Sequence, residues 1–170
     1  MVELRTDRLL LRKARQDDLG GFHTLLSDAR AMTFWYCPPH QDVAVTQAWL
    51  DDMIGIDPGS GEDFAVEFGE ALIGKVGMRR FPTIGFIFHP DVWGRGLASE
   101  AVRSVIDRAF REHGLPLIKA DVDPRNDPLL RLLNRLGFVE TGRAEETGLI
   151  GGKWCDSVFL HLKAEMWNGG

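Results

Sequence analysis

The sequence predicts an α/β chain built on a mixed sheet: antiparallel strands come first, a parallel pair joined by a helix follows, and helices cover both faces. Three observations carry this expectation. From Phe64 to Phe88 three β-alternating runs follow one another across connections too short for a crossover, so those neighbours must be antiparallel. An amphipathic pattern over 97–113 then separates the last run from a second apolar run, Leu117 to Val122. Such a strand–helix–strand unit is parallel and right-handed. Between strand and helix stands a glycine loop, Trp93-Gly94-Arg95-Gly96.

Composition fits a single soluble domain over residues 1–170. The chain has 170 residues, 44% hydrophobic and 26% charged, and a domain of about 150 residues buries roughly 70% of its unfolded surface. The formal net charge of −5 and the lack of any lysine or arginine run argue against nucleic acid and mildly favour a cationic acceptor. Cys37 and Cys155 lie far apart without a Cys-x-x-Cys pair, as expected of thiols in a reducing cytosol rather than of a disulfide or metal site. The N-terminal MVELRTDRLLLRK is too charged for a signal peptide, and no apolar run reaches the roughly 18 residues a membrane span needs. A cytoplasmic protein without membrane contact is expected.

Taken in order, residues 3–14 alternate loosely around a leucine run and read as an entering strand. After Gln16-Asp17-Asp18, an N-cap type of sequence, Leu19, Phe22, Leu25 and Leu26 fall at helical spacing. AMTFWYCPPHQD reads as an aromatic loop. Because a residue before proline avoids helix, the second helix begins only after Gln41-Asp42 and runs through Val45, Ala48, Trp49 and Met53. Asp57 to Asp63 is turn-rich; FAVEFG, a turn at Glu70-Ala71, and LIGKVGMRRF form the next two strands, and Pro82 introduces the third, Ile84 to Phe88. The following helix has Ala98, Ala101, Val102, Val105, Ile106, Ala109 and Phe110 on one face, and Gly114 stops it. A short helix within DPRNDPLLRLLNRLGF and a closing hairpin complete the chain. DVDPRNDPLLRL is no calcium loop: Arg125, Asn126 and Leu132 stand where a ligand, the turn glycine and the bidentate glutamate belong.

The glycine loop is an anion-binding design. Gly94 and Gly96 let the backbone curl until several N–H groups converge, and the positive end of the helix beginning near Leu97 faces the same point. A diphosphate would fit. A Walker loop would need Gly-Lys-Ser/Thr, which is absent, and a dinucleotide fingerprint would need Gly or Ala where Ser99 stands.

The phrase Trp93-Gly94-Arg95-Gly96-Leu97-Ala98 resembles the acyl-CoA loop of the GNAT N-acetyltransferases, Gln/Arg-x-x-Gly-x-Gly/Ala. The resemblance is closest to the RimJ/RimL-like branch, which has Trp at the first place and continues Ala-x-Glu-Ala, here Ala98, Glu100 and Ala101. It extends to the opening Thr6, Arg8, Leu9, Leu11 and Arg12, to Asn126, to Leu136-Gly137-Phe138, and to Trp154, Asp156 and Leu162. It implies the acyl-CoA N-acyltransferase fold, in which the parallel pair splays. It also implies acetyl-CoA as co-substrate and no metal. The pantetheine arm would lie along the backbone of Phe86, Ile87 and Phe88, with Trp93 to Ser99 and Asn126 completing the cofactor contacts. The acceptor side would be formed by the first two helices and their connection, with Phe34, Trp35 and Tyr36 as contacts or as packing. A homodimer through the last hairpin would also be compatible.

The implied reaction is transfer of acetyl to a primary amine, a protein N-terminal α-amine or a small molecule, by direct attack in a ternary complex. A backbone N–H near Ile87 would stabilise the oxyanion. A lysine-like amine is neutral only about once in 2,500 molecules at pH 7, whereas an α-amino group needs only about 1.4 kcal/mol to deprotonate. Asp121, five residues before Asn126, is the leading base, its alternative a solvated strand-end carboxylate; Glu67 is the second candidate, its alternative a surface-exposed carboxylate. His89, in a His-Pro pair, reads as a turn residue. The Ser and Tyr usual for the general acid fall at Leu129 and near Leu133, neither of which can give a proton. Water could protonate the thiolate instead. The alternative is a catalytically weak or inactive acyl-CoA-binding regulatory domain.

Overall fold

Alternating side chains and short turns fold the middle of the chain into a sheet, and amphipathic helices close over it. The structure, a computed structural model, describes residues 2–169. Its strands are β1 (Glu3–Arg5), β2 (Leu9–Arg12), β3 (Glu62–Phe68), β4 (Ala71–Arg80), β5 (Thr83–Phe88), β6 (Leu117–Val122), β7 (Val139–Ile150) and β8 (Lys153–Lys163). Its helices are α1 (Leu19–Leu26), α2 (Val43–Ile54), α3 (Leu97–Arg111) and α4 (Asp127–Arg135). Among the described residues the strands form one sheet in the order β1-β2-β3-β4-β5-β6-β8-β7, antiparallel throughout except between β5 and β6. The second strand of the closing hairpin is thus the inner one.

The entering strand is broken. Thr6 to Arg8 forms a tight turn in which Thr6 N donates to Leu9 O at 3.0 Å and Leu9 N donates to Thr6 Oγ1 at 3.0 Å, so β1 and β2 make a hairpin. The turn is polar because its groups are needed elsewhere, as the site shows.

Helices cover both faces. On one, Leu97, Val102 and Ile106 of α3 and Leu133 of α4 pack on Leu11, Phe64, Val76, Ile118 and Leu160 of the sheet. On the other, Phe22, Leu25 and Leu26 of α1 and Trp49, Leu50 and Met53 of α2 pack on Ala65 and Ile87. The α2 start is fixed as its sequence demands: Asp42 Oδ1 accepts from Ala44 N at 2.8 Å. Thr46, the buried residue of the otherwise exposed first turn of α2, meets His23 Nδ1 at 2.7 Å and His40 Nδ1 at 2.9 Å through its Oγ1, tying α1, α2 and their connection together.

Arg12 anchors the entry to α1. Its guanidinium is buried and grips Asp18 through Nη1 and Nη2 at 2.9 and 2.7 Å, while Nε donates to Glu67 Oε1 at 2.7 Å. Burial works against ionisation of Asp18, but bonds from Arg12 and from Arg15 N–H outweigh it and hold the carboxyl below its ordinary range.

Two stability measurements follow. Arg12→Ala leaves two partly or wholly buried carboxylates without their cation, and should destabilise the fold by about 3–5 kcal/mol in urea denaturation. Burial, and next the charge of His23, lowers the pKa of His40. The folded chain then binds fewer protons than the unfolded one, so stability is complete above the unfolded histidine value of about 6.5 and falls as pH drops below it. A denaturation midpoint that stays flat through that window would contradict this.

Candidate active site

The site begins where β5 and β6 stop pairing. Their register holds at one place, Thr83 opposite Lys119, with Lys119 N donating to Pro82 O at 2.9 Å. Beyond it β5 stays bound to β4 through Gly74↔Phe88, and β6 stays bound to β8 along Leu117 to Val122. The two half-sheets part, and the outer edge of β5 is left open.

Which amides face that opening follows from the β4–β5 ladder. Opposed residues of an antiparallel pair alternate between bonded and non-bonded. His89 N donates to Ile73 O at 2.8 Å, which makes Ile87 and Gly85 the bonded residues and turns Phe86 and Phe88 outward. Pro82 O, bonded to β6, has the same parity as Phe86 and Phe88. This corrects the expectation for Ile87: its N–H is directed into the ladder, and its side chain fills the core under α1 and α2. Phe86 and Phe88 present their backbones to the cleft.

The glycine loop lies at the end of the same strand. Gly94 and Gly96 both have φ of 73°, a left-handed conformation costly for other residues, and Gly96 is the N-cap of α3 with no side chain bonded into the first turn. The N–H groups of Leu97, Ala98 and Ser99 open this helix; Leu97 is buried and seats it, while Ala98 and Ser99 are half-buried. Trp93, more than half exposed, bonds the loop to the strand by donating Nε1–H to Phe88 O at 3.0 Å. The Arg95 guanidinium lies 4.9 Å over the Phe68 ring.

A clamp from the N-terminal hairpin holds the loop in place. Arg8 Nη1 donates to Arg95 O at 2.9 Å, and Glu100 in the first turn of α3 accepts from Thr6 Oγ1 at 2.5 Å, Arg8 N at 2.9 Å and Arg8 Nε at 2.7 Å. Partial burial pushes the Glu100 pKa up, but these bonds pull it further down, so the group is ionised. An acid there would repel an anion at the helix mouth. Arg8 neutralises it. Glu100 is far in sequence from Thr6 and Arg8, and only their motif membership signalled that they act together.

The remaining candidates divide. Asp121 is exposed on β6, on the α1–α2 face, because Ile118, Ala120 and Val122 take the opposite side into the core. It stands on the strand that flanks the opening, two residues beyond the pair with Thr83. Glu67 does not: β4 stands between its strand and β5, and its carboxylate is engaged by Arg12. Asn126 caps α4, its Oδ1 accepting from Leu129 N at 3.3 Å, which leaves its NH2 as the group it could offer a ligand. His89 Nδ1 accepts from Asp91 N at 3.2 Å, a turn cap. Leu133 is buried in the core, and Leu129 packs against it. In the connection between α1 and α2 the Trp35 and Tyr36 rings lie 5.4 Å apart, tilted, and Arg125, paired with Asp123 at 2.7 Å, covers Phe34 at 5.5 Å.

Sequence reasoning missed Lys75 and Asp63, an ion pair buried on the same face with Nζ 2.8 Å from Oδ2. The ammonium lies off the direction a hydrogen bond needs, so both Asp63 oxygens lack a hydrogen-bond donor among the described residues. A lysine in the middle of an apolar β run was the visible signal.

A parted sheet beside a glycine-lined helix mouth offers an open strand edge and an anion-binding end along one line. The family model for the acetyltransferase (GNAT) domain matches residues 8–139, and the chain belongs to that family. It is 30% identical to the uncharacterized N-acetyltransferase p20 of Bacillus licheniformis over 97% of this chain and 98% of that protein. It is 30% identical to the L-methionine sulfoximine/L-methionine sulfone acetyltransferase of Pseudomonas aeruginosa over 91% of this chain and 94% of the other. In fold it is similar to RimL, a ribosomal L7/L12 α-N-protein acetyltransferase solved with coenzyme A, at a TM-score of 0.88 and 14% identity over 97% and 99% of the two chains. The fold is that of the RimJ/RimL-like branch, and the chain is an acetyl-CoA-dependent acyltransferase. Among the described residues no helix is long and apolar enough to cross a membrane.

The clamp makes its own prediction. Arg8→Ala should raise KM for acetyl-CoA several-fold by leaving Glu100 unneutralised at the helix mouth. Adding Glu100→Gln should recover part of that loss; a double variant worse than Arg8→Ala alone would assign the pair to loop shape instead of charge.

Proposed function

We propose that this protein transfers the acetyl group of acetyl-CoA to a primary amine, by direct attack in a ternary complex. The observation that carries the reading is the unpaired β5 edge at Phe86 and Phe88, running into the glycine loop. The N–H groups from Gly94 to Ser99 take the diphosphate, with Trp93, Arg95 and Asn126 around them, and the backbone of Phe86 and Phe88 takes the pantetheine amides. The thioester carbonyl oxygen rests on a cleft-facing N–H of β5, where preorganised donors stabilise the charge of the tetrahedral intermediate.

The amine arrives from the α1–α2 face. Its nitrogen bonds to the carbonyl carbon, the C–S bond breaks, and the electron pair leaves on sulfur. Asp121 takes the proton that the nitrogen must lose, directly or through water. Water protonates the thiolate, whose conjugate acid has a pKa of about 8.5 and leaves readily. Glu67, held by Arg12, is a structural group. The acceptor class is supported by a relative named as an L-methionine sulfoximine/L-methionine sulfone acetyltransferase and one named as a spermidine N(1)-acetyltransferase.

A second reading is acyl-CoA binding without useful turnover, favoured by the apolar residues Leu129 and Leu133. Release of free thiol from acetyl-CoA in the presence of amines decides between them: binding of coenzyme A with no turnover on any acceptor would establish the second. Asp121→Asn should lower kcat/KM about a hundredfold near neutral pH and less at high pH, where the amine is already neutral. A loss of equal size at every pH would remove Asp121 from the role of base.

A further inference from the structure

The chain has five lysines, Lys13, Lys75, Lys119, Lys153 and Lys163. One of them stands at the cleft. Lys119 is exposed on β6 and lies directly opposite Thr83, at the bridge beyond which β5 and β6 part. Because Ile118, Ala120 and Val122 turn into the core beneath α3, alternation puts Lys119 on the other face, with Asp121 two residues further on. Thr83 and Gly85 of β5 share that face, since Ile84 and Phe88 also turn into the core beneath α3. The other lysines are placed differently. Lys75 is buried against Asp63, Lys13 lies just past the end of β2, and Lys153 and Lys163 are exposed at the two ends of β8.

Under the proposed function, the narrow end of the opening is where the acyl group arrives. With the diphosphate held at the glycine loop beyond Phe88, the arm runs back along β5 toward Thr83. Of the two cleft-facing donors, Phe86 N–H is nearer the bridge, and a thioester carbonyl resting on it has Gly85 beside it and Asp121 across the gap. A Cβ at Gly85 would meet nothing within 4 Å, so the sheet surface there is bare. Two residues of strand, about 6.6 Å, separate Lys119 from this row. The flexible four-carbon stem of a lysine covers such a distance.

We propose that Lys119 is a self-acetylation site, modified by acetyl-CoA bound to the same chain. The inference rests on acetyl transfer at the β5–β6 cleft. Lys119 Nζ, as the free amine, bonds to the thioester carbonyl carbon; the C–S bond breaks and its electron pair leaves on the sulfur of coenzyme A. The proton that the nitrogen loses passes to Asp121, on the same strand face, or to water. The products are an acetylated lysine and free coenzyme A, once per chain. The tether supplies the amine at high local concentration, so the step needs no separate binding of an acceptor. It also removes a positive charge two residues from Asp121.

The test incubates the protein with acetyl-CoA and no added amine, and follows each lysine by peptide mass spectrometry alongside free thiol. Lys119 should gain its acetyl group about tenfold or more faster than the exposed Lys153 and Lys163, at a first-order rate independent of protein concentration. An excess of free coenzyme A should suppress the reaction at Lys119 and leave the slow background at Lys153 and Lys163 unchanged. Equal rates at the three lysines, a rate constant that rises with protein concentration, or labelling that coenzyme A does not suppress would each overturn the proposal. If an added amine is acetylated while Lys119 stays unmodified, self-acetylation falls and acetyl transfer at the cleft stands. If acetyl-CoA binds and neither Lys119 nor any added amine is acetylated, both fall.

Discussion

The structure depends on an incompatibility between two ladders. β5 is committed to β4 and β6 to β8, and sheet twist turns those pairs away from each other once the single bridge at Thr83 and Lys119 is passed. In an ordinary sheet such a gap would leave buried amides unsatisfied at a cost of about 1–3 kcal/mol each. Under the proposed function the gap becomes a binding surface: a pantetheine arm running along it would supply the hydrogen bonds that the missing strand pairing would have made.

A cleft of this kind is useful only if the phosphate end of the ligand is held at a fixed distance from it. The chain achieves this with contacts between remote segments: Trp93 ties the loop to the carbonyl of Phe88, and Arg8 ties it to the N-terminal hairpin. Glu100 is at the centre of the second contact. It bonds two backbone-fixed groups of the hairpin turn, which explains why the entering strand is interrupted at Thr6-Asp7-Arg8 instead of running straight into α1. The turn sacrifices strand pairing to present a hydroxyl, an amide and a guanidinium to one carboxylate.

Charges on the opposite face are used differently. Arg12, Asp18 and Glu67 form a closed group that fixes α1 against β2 and β3. Lys75 and Asp63 form a second closed pair. Arg79 and Arg80 are incompletely neutralised and border an open depression. Overall charge says little about what such a face attracts; the balance within each cluster decides it. Asp121 is an exposed carboxylate on this face, on β6 two residues beyond the pair with Thr83.

Much of the fold was legible in the sequence because it rests on local physics. Apolar periodicity located α1, α2, α3 and β6, Asp42 and Gly114 marked helix ends, and the short links of residues 64–88 required antiparallel neighbours. The curled glycine loop was legible too, since Gly94 and Gly96 can take their positive φ without steric cost. Three things only the tertiary structure decided. The amides of Phe86 and Phe88, not Ile87, open to the cleft, because ladder parity is set by the partner strand. Glu67 serves Arg12, and Arg79 lies over the Trp49 ring of α2, because the partners of a charged side chain are chosen by distant segments that fold against it.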